Sequence, residues 1–218
     1  MKPVRILVAD DHEVVRRGLR AILETREGWE VTGEAATGRE AVEQAKQLKP
    51  DVVVLDLVMP EMNGLEATRR ILKAVPTAEV LILTMHEPEH LMHEVLTAGA
   101  RGYLLKSDAG RELVAAVDAL TRHVPAFTSR VANALLEAYL KDDGHERGAD
   151  RRQGRLTPRE REIVQLLAEG KTNKEVAAAL DIAVKTVEAH RSNVMHKLGL
   201  HSLSEIVHYA VRNKIVHV

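Results

Sequence analysis

The sequence predicts two unlike folds in one chain: an α/β doubly wound, five-stranded parallel sheet, and an all-α domain of four helices, joined by a linker. Three observations predict this. Over residues 1–123, short β-branched apolar runs alternate with amphipathic stretches of 10–14 residues. Strands alternating with helices imply βαβ units and a parallel sheet covered on both faces. Over 141–154, fourteen residues pass without a large apolar side chain. Over 155–218, helix-start signatures recur.

The strands are expected at Val4–Ala9, Trp29–Glu34, Val52–Leu57, Val80–Thr84 and Gly102–Leu105. The run Val52-Val53-Val54-Leu55 is apolar at every position, as a strand buried on both faces requires. The helices between and after them are expected at Glu13–Thr25, Arg39–Leu48, Leu65–Val75, Pro88–Ala98 and Ala109–Arg122. Leu65, Ile71, Leu72 and Val75, for instance, recur at helical spacing.

Residues 124–153 form the expected linker. Val131, Leu135, Leu136 and Tyr139 suggest one helix in it. The polar run after them cannot bury enough surface to offset its ordering entropy and reads as flexible. In the last domain, residues 154–218, Thr157-Pro158-Arg159-Glu160 combines an N-cap threonine, a proline at the first helical position and a glutamate three residues after the cap. Thr172 with Glu175 and Ser202 with Glu205 repeat the spacing, and Gly170 and Gly199 stand where C-terminal caps belong. Four helices follow, near 158–169, 173–180, 184–198 and 203–213, the middle two joined by a short turn at residues 181–183.

The 218 residues are 45% apolar and 29% charged, an ordinary globular composition. With no cysteine, disulfides, thiolate catalysis and cysteine zinc sites are excluded. Aromatics at 2% argue against a stacking platform for single strands or RNA. No apolar run is long enough for a membrane span, and Met1 to Arg5 leads into a strand without a signal-peptide core, so the expected location is cytoplasmic. The net charge of −1 divides unevenly: −4 over residues 1–123, zero over 124–153 and +3 over 154–218.

Asp10 and Asp11 follow the first strand, and Asp56 ends the third. In an open parallel sheet, ligands sit beyond the carboxyl ends of strands where the strand order reverses. With the order 2-1-3-4-5, that point lies between strands one and three, and three carboxylates converge there. Such carboxylates repel one another unless a cation is present, and a few hard oxygen ligands suit Mg²⁺. Thr84 closes strand four and Lys106 follows strand five, on the same rim. An aspartate there can attack a phosphoryl group and form an acyl phosphate, with a cation and an ammonium offsetting the charge.

Val8-Ala9-Asp10-Asp11-His12, Leu55 to Gly64, Leu83-Thr84 and Gly102 to Lys106 resemble the receiver domain of two-component response regulators, a flavodoxin-like fold, over about 120 residues. The resemblance implies that Asp56 is the phosphoacceptor, that Asp10 and Asp11 form the acidic pocket, and that Asp11, Asp56 and the backbone carbonyl of Val58 contact Mg²⁺. It further implies that Thr84 and Lys106 bind the phosphoryl group and that Tyr103 is the aromatic that changes rotamer with Thr84. Val58 and His86 fall at positions resembling those that tune dephosphorylation.

The turn at residues 181–183 suggests a helix-turn-helix whose second helix can enter a major groove. On that helix Val187, Val194 and Leu198 share one face, while Lys185, Glu188, Ala189, Ser192 and His196 can project outward. Leu156 to Val164, Gly170 to Ala177, Lys185 to His190 and Lys197 to Leu200 resemble the LuxR-type DNA-binding domain. Together with the receiver segment the chain resembles a NarL/FixJ-type transcriptional regulator. The resemblance implies that Lys185, Glu188, Ala189 and Ser192 face the groove and that Thr172, Asn173, Thr186 and Arg191 meet phosphates, with Lys171 and Lys174 nearby. Glu188 and Ala183 depart from the lysine and serine common there, so no target sequence transfers. Ile206, Val207, Tyr209 and Ala210 form the dimer surface implied by resemblance, and the same face serves equally as core.

The expected function is therefore a response regulator and transcription factor, phosphorylated on Asp56 by a sensor histidine kinase. Its other expected partners are double-stranded DNA with two half-sites, a second copy of itself when active, and RNA polymerase as a candidate contact; no membrane is expected. The alternative is a constitutive DNA-binding regulator whose receiver acts only in dimerisation. A turnover enzyme is not expected. Aspartyl phosphatases place a general acid two residues after the nucleophile, and here that position is Val58; no dinucleotide or P-loop glycine pattern is present. His86, His90 and His93, spaced 4 and 3, are compatible with a metal face but read as solvated histidines.

Overall fold

The stretch from Val52 to Asp56 is a strand buried at every position, and it lies at the middle of the molecule's single described sheet. In the computed structural model the chain divides into two units, residues 1–145 and 146–218. The structure describes residues 2–85, 92–127, 131, 156–213 and 215–216, apart from the side chain of residue 93.

The first unit runs β1 (Val4–Ala9), α1 (Glu13–Leu23), β2 (Trp29–Ala35), α2 (Gly38–Leu48), β3 (Val52–Asp56), α3 (Gly64–Ala74), β4 (Glu79–Thr84), α4 (Met92–Ala98), β5 (Gly102–Leu105), α5 (Ala109–Thr121) and β6 (Ala126–Phe127). The strand order is β2-β1-β3-β4-β5-β6, with every neighbouring pair parallel. The order therefore reverses between β1 and β3, which opens a crevice at their carboxyl ends. Two apolar layers cover the sheet. One holds Leu7, Val53, Leu55, Ile82 and Tyr103 with residues of α2, α3 and α4. The other holds Ile6, Val8, Val54, Leu81 and Leu83 with residues of α1 and α5.

The expected sheet had five strands, and the structure has six. Ala126 and Phe127 pair with Gly102 and Tyr103, so the chain continues the sheet within the segment read as linker. Val131 is helical and fully buried against the first apolar layer. The rest of the expected linker helix and the polar run to residue 154 lie outside the described residues, as do residues 88–91 of the expected fourth helix.

Capping fixes where helices begin. Thr37 and Asn63 accept hydrogen bonds from the backbone N–H of Glu40 and Glu66 at the starts of α2 and α3. The turn into α3 also folds tightly over the end of β3. The N–H of Gly64 donates to the Leu57 carbonyl at 2.8 Å, and a Cβ at Gly64 would stand 2.2 Å from the Asp56 carbonyl oxygen. Only glycine permits that approach, and it holds the loop against Asp56.

The second unit comprises α6 (Pro158–Ala168), α7 (Asn173–Leu180), α8 (Val184–Leu198) and α9 (Leu203–Arg212). Thr157 with Glu160 and Thr172 with Glu175 form reciprocal capping boxes at the starts of α6 and α7. Lys197 of α8 reaches Glu160 at 2.9 Å and ties the two helices. Val187, Val194, Ile206 and Ala210 are fully buried together with Ile163, Leu166 and Val176. Ile206 and Ala210 therefore belong to this core and not to a dimer surface; Tyr209 packs beside them.

Candidate functional site

At the crevice, β1, β3 and the turn after β5 bring three charged groups together. Lys106 Nζ lies 2.7 Å from Asp56 Oδ2 and 2.7 Å from Asp10 Oδ2. Asp10 is 1% exposed and Asp56 4%. The strand register explains the meeting: Ala9, which precedes Asp10, pairs with Leu55, which precedes Asp56. Asp11 stands half-buried at the rim, its Oδ1 at 2.7 Å from His12 Nδ1. Val58, buried on the loop after β3, has its backbone N–H directed at the Asp56 carboxyl.

Burial dominates the electrostatics of Asp56 and pushes its carboxyl from 3.8 up to about 6, against the lowering pull of Lys106. Asp10 adds to the rise, and the Val58 N–H opposes it. Burial lowers Lys106, but the charges of Asp56 and Asp10 outweigh it and its pKa is raised. The pocket thus holds a fixed ammonium and a carboxylate that is costly to leave charged.

Asp10 Oδ2 is engaged by the Lys106 ammonium and Asp11 Oδ1 lies against His12 Nδ1. Hard carboxylate oxygens gathered at one locus suit a small divalent cation. Arg16, on α1, shapes this edge from beneath: its Nη1 donates to the Asp10 carbonyl at 2.6 Å, and its Nε lies 3.5 Å from Glu34 Oε2. Sequence reasoning missed Arg16, because nothing local signals a contact between one turn of helix and the strand end before it.

Thr84 is the last residue of β4 and is buried, in register with Leu105. Tyr103 is fully buried in β5, flanked in register by Ile82 on one side and Phe127 on the other. His86 and His90 lie outside the described residues, as does the side chain of His93.

In the second unit, Lys185, Thr186, Glu188, Ala189 and Ser192 are exposed on α8, and Arg191 is half-buried. An open groove is lined by Asn173, Glu188, Arg191, Ser192, Met195 and His196. Four of the residues expected to meet DNA therefore share one concavity. Met195 was missed, although its spacing of three and four from Ser192 and Arg191 places it on the same face. Thr172 is already engaged: its hydroxyl bonds Glu175 in the capping box.

Comparison with known proteins identifies both units. Residues 6–118 match the response regulator receiver domain, and residues 154–210 match the bacterial regulatory proteins of the luxR family. The chain is 40% identical over 219 residues to the transcriptional regulatory protein LiaR of Bacillus subtilis, covering 98% of this chain and 100% of LiaR. It is 39% identical over 215 residues to the oxygen regulatory protein NreC of Staphylococcus carnosus, covering 98% and 99%. Among solved structures, the RcsB response regulator of Salmonella typhimurium matches with a TM-score of 0.68 at 27% identity over the full length of both chains. A LuxR-family response regulator from Aurantimonas matches with a TM-score of 0.61 at 38% identity, covering 63% of this chain and 99% of that one. With a receiver fold, a helical domain of the luxR family and relatives matched along nearly its whole length, the chain belongs to the two-component response regulators that carry a LuxR-type DNA-binding domain.

Proposed function

We propose that this regulator accepts a phosphoryl group on Asp56 from a sensor histidine kinase and thereby controls its own dimerisation and its binding to DNA. The observation that carries this reading is the Lys106 ammonium, held 2.7 Å from both Asp56 and Asp10 in a buried pocket. An Asp56 oxygen attacks phosphorus, the bond from phosphorus to the donor nitrogen breaks, and the donor imidazole departs. Lys106 is placed to offset charge on the transferring oxygens, and the Thr84 hydroxyl to donate to the new phosphate. Mg²⁺, held by Asp10, Asp11, Asp56 and the backbone carbonyl of Val58, would supply the remaining charge neutralisation.

The chain is an acceptor and not a turnover enzyme. The acyl phosphate adds charge beside Lys106, drawing Thr84 inward and turning Tyr103, a local charge event that biases a two-state element. The second unit binds double-stranded DNA through α8, with Lys185, Glu188, Ala189 and Ser192 toward bases and Asn173, Thr186 and Arg191 toward phosphates. A net charge of only +3 on residues 154–218 favours dimeric binding at two half-sites. A solved RcsB–DNA complex, 27% identical with a TM-score of 0.58, supports DNA as the ligand of this architecture.

The test is incorporation of labelled phosphate from a phosphoramidate donor. Wild type is expected to label and Asp56→Asn to lose the label; equal labelling overturns the acceptor assignment. DNA affinity and sedimentation of the labelled protein then report coupling, and unchanged values for both assign the receiver a purely constitutive role.

A further inference from the structure

We infer that Arg159 and Glu160, in the first turn of α6, are positioning residues for sequence reading: they grip α8 near both its ends and set how it meets the bases. The inference deepens the DNA-binding reading given above and rests on it. Two neighbouring side chains of opposite charge carry it. Arg159 Nη2 donates to the Leu180 carbonyl at 3.1 Å, and Glu160 Oε2 accepts from Lys197 Nζ at 2.9 Å. Leu180 ends α7, at the turn that leads into α8, and Lys197 lies in the last turn of α8. One turn of α6 thus holds the helix-turn-helix both at its turn and at the end of its second helix.

Each grip has its own support. Arg159 uses both arms of its fork: Nη1 donates to Glu162 Oε2 at 3.0 Å, and the Glu162 side chain is 4% exposed. A buried carboxylate orients the guanidinium plane, as it could not orient a point ammonium. The Leu180 carbonyl is one of those that a helix end leaves unpaired, and Asp181 after it takes the left-handed conformation at φ 52°. A side chain there costs more than glycine would, so the turn gains from outside support. Glu160 is held twice, because it also accepts the Thr157 backbone N–H in the capping box. Burial raises its carboxyl, but Lys197 and the Thr157 bonds outweigh that and leave it lowered.

By itself α8 does not fix its own tilt. It starts on Ala183, whose side chain caps nothing. Its inward residues Val187 and Val194 are fully buried, and apolar packing is non-directional: it decides which face turns inward and leaves the tilt open. Directional bonds near both ends close that freedom. The Lys197 side chain is 25% exposed and already paired, so its charge serves α6 and not a phosphate. A reading helix held in its bound orientation binds a matched duplex more tightly, because less ordering remains to be done on association.

The test measures duplex binding by the full-length chain with a phosphoramidate donor present. Wild type first selects its sequence from a random library; affinity for that sequence and for random duplex is then measured across a salt series. The variants are Arg159→Lys, Glu160→Gln and the double variant Glu160→Gln with Lys197→Gln, each at a temperature where its circular dichroism matches wild type. Arg159→Lys keeps the charge and loses the fork, whereas Glu160→Gln keeps a capping-box residue and loses the ion pair. Each single variant is expected to lower the ratio of selected to random affinity by about fivefold or more, the discrimination of one base pair, with the salt slope on random duplex unchanged. The double variant is expected to match Glu160→Gln, since the two residues act as one contact. A ratio within about twofold of wild type in either single variant overturns the inference, even where the melting temperature falls, because the residue then serves only the fold. A salt slope lower by about one in the double variant than in Glu160→Gln puts Lys197 on a phosphate and overturns it too. A wild type that selects no sequence overturns the DNA reading by α8, and the inference with it; a wild type that selects, with variants that select as well, overturns the inference alone.

Discussion

Lys106 and Asp56, fifty residues apart in the chain, meet at 2.7 Å in a pocket where Asp56 is 4% exposed. The pair does not remove the cost of the buried carboxylate, because burial still pushes Asp56 up to about 6. The folded chain thus binds this proton more tightly than the unfolded chain, in which the carboxyl titrates near 3.8. Its stabilising contribution is complete below pH 3.8 and is lost as pH rises through about 6. In metal-free buffer, Asp56→Asn is therefore expected to match wild type near pH 4 and to exceed it progressively toward pH 7, reaching on the order of 2–3 kcal/mol. Urea unfolding followed by Trp29, the chain's one tryptophan, reads this unit alone. A stability difference that stays flat across pH 4–7 contradicts the buried-charge account.

Gly64 makes a sharper packing prediction. A Cβ there meets the Asp56 carbonyl oxygen at 2.2 Å, and backbone cannot yield as a flexible side chain can. Gly64→Ala is expected to cost about 1–3 kcal/mol and to slow phosphoryl incorporation, because the end of β3 must move. Gly18 is the control. It is exposed within α1 with nothing inside 4 Å of the added Cβ, so Gly18→Ala is expected to stabilise by about 0.5–1 kcal/mol. Equal effects at the two positions would refute the close-approach argument.

The sixth strand carries a third prediction. Phe127 stands beside Tyr103 in register and packs, partly buried, on the first apolar layer. Truncation of a fully buried phenylalanine costs about 3–5 kcal/mol, so Phe127→Ala is expected to cost roughly half of that. Tryptophan-monitored urea unfolding of the full chain checks it. No loss means that the edge pairing does not stabilise the receiver unit.

The five longer strands are legible in the sequence because each buries an apolar, β-branched run, and their carboxyl ends then place Asp10, Asp56, Thr84 and Lys106 on one rim. The sixth strand is only Ala126 and Phe127, next to Pro125, and no run of residues announces it. What makes it a strand is the free edge of β5, a tertiary fact. The last helix shows the same limit. Ile206 and Ala210 turn inward while Leu203 is 42% exposed, and apolar residues on both sides leave the sequence pattern unable to choose. Arg16 escapes detection as a pocket residue for a related reason: it lies on α1, which the loop after β1 turns back against the strand end, and periodicity says nothing about loops.

On the DNA face, Glu188 and Arg191 line one groove with opposite charges, which separates sequence reading from phosphate attraction. A protein that neutralises a phosphate releases a counterion, so each such contact adds about one unit to the salt slope of binding. Arg191→Ala is expected to weaken all duplexes alike and to lower that slope by about one. Glu188 is exposed and carries the wrong sign for phosphate, so its use on this face is acceptance from a base edge, with cytosine N4 the matching donor. Glu188→Gln is therefore expected to tighten binding to random duplex while losing about 1–3 kcal/mol of discrimination at one base pair of the bound site. Selection of bound sequences from a random library, run on both variants across a salt series, separates the two effects. If Glu188→Gln keeps the wild-type sequence preference while its binding to random duplex rises, Glu188 acts only as a repulsive charge, and the specificity of α8 resides in Lys185 and Ser192.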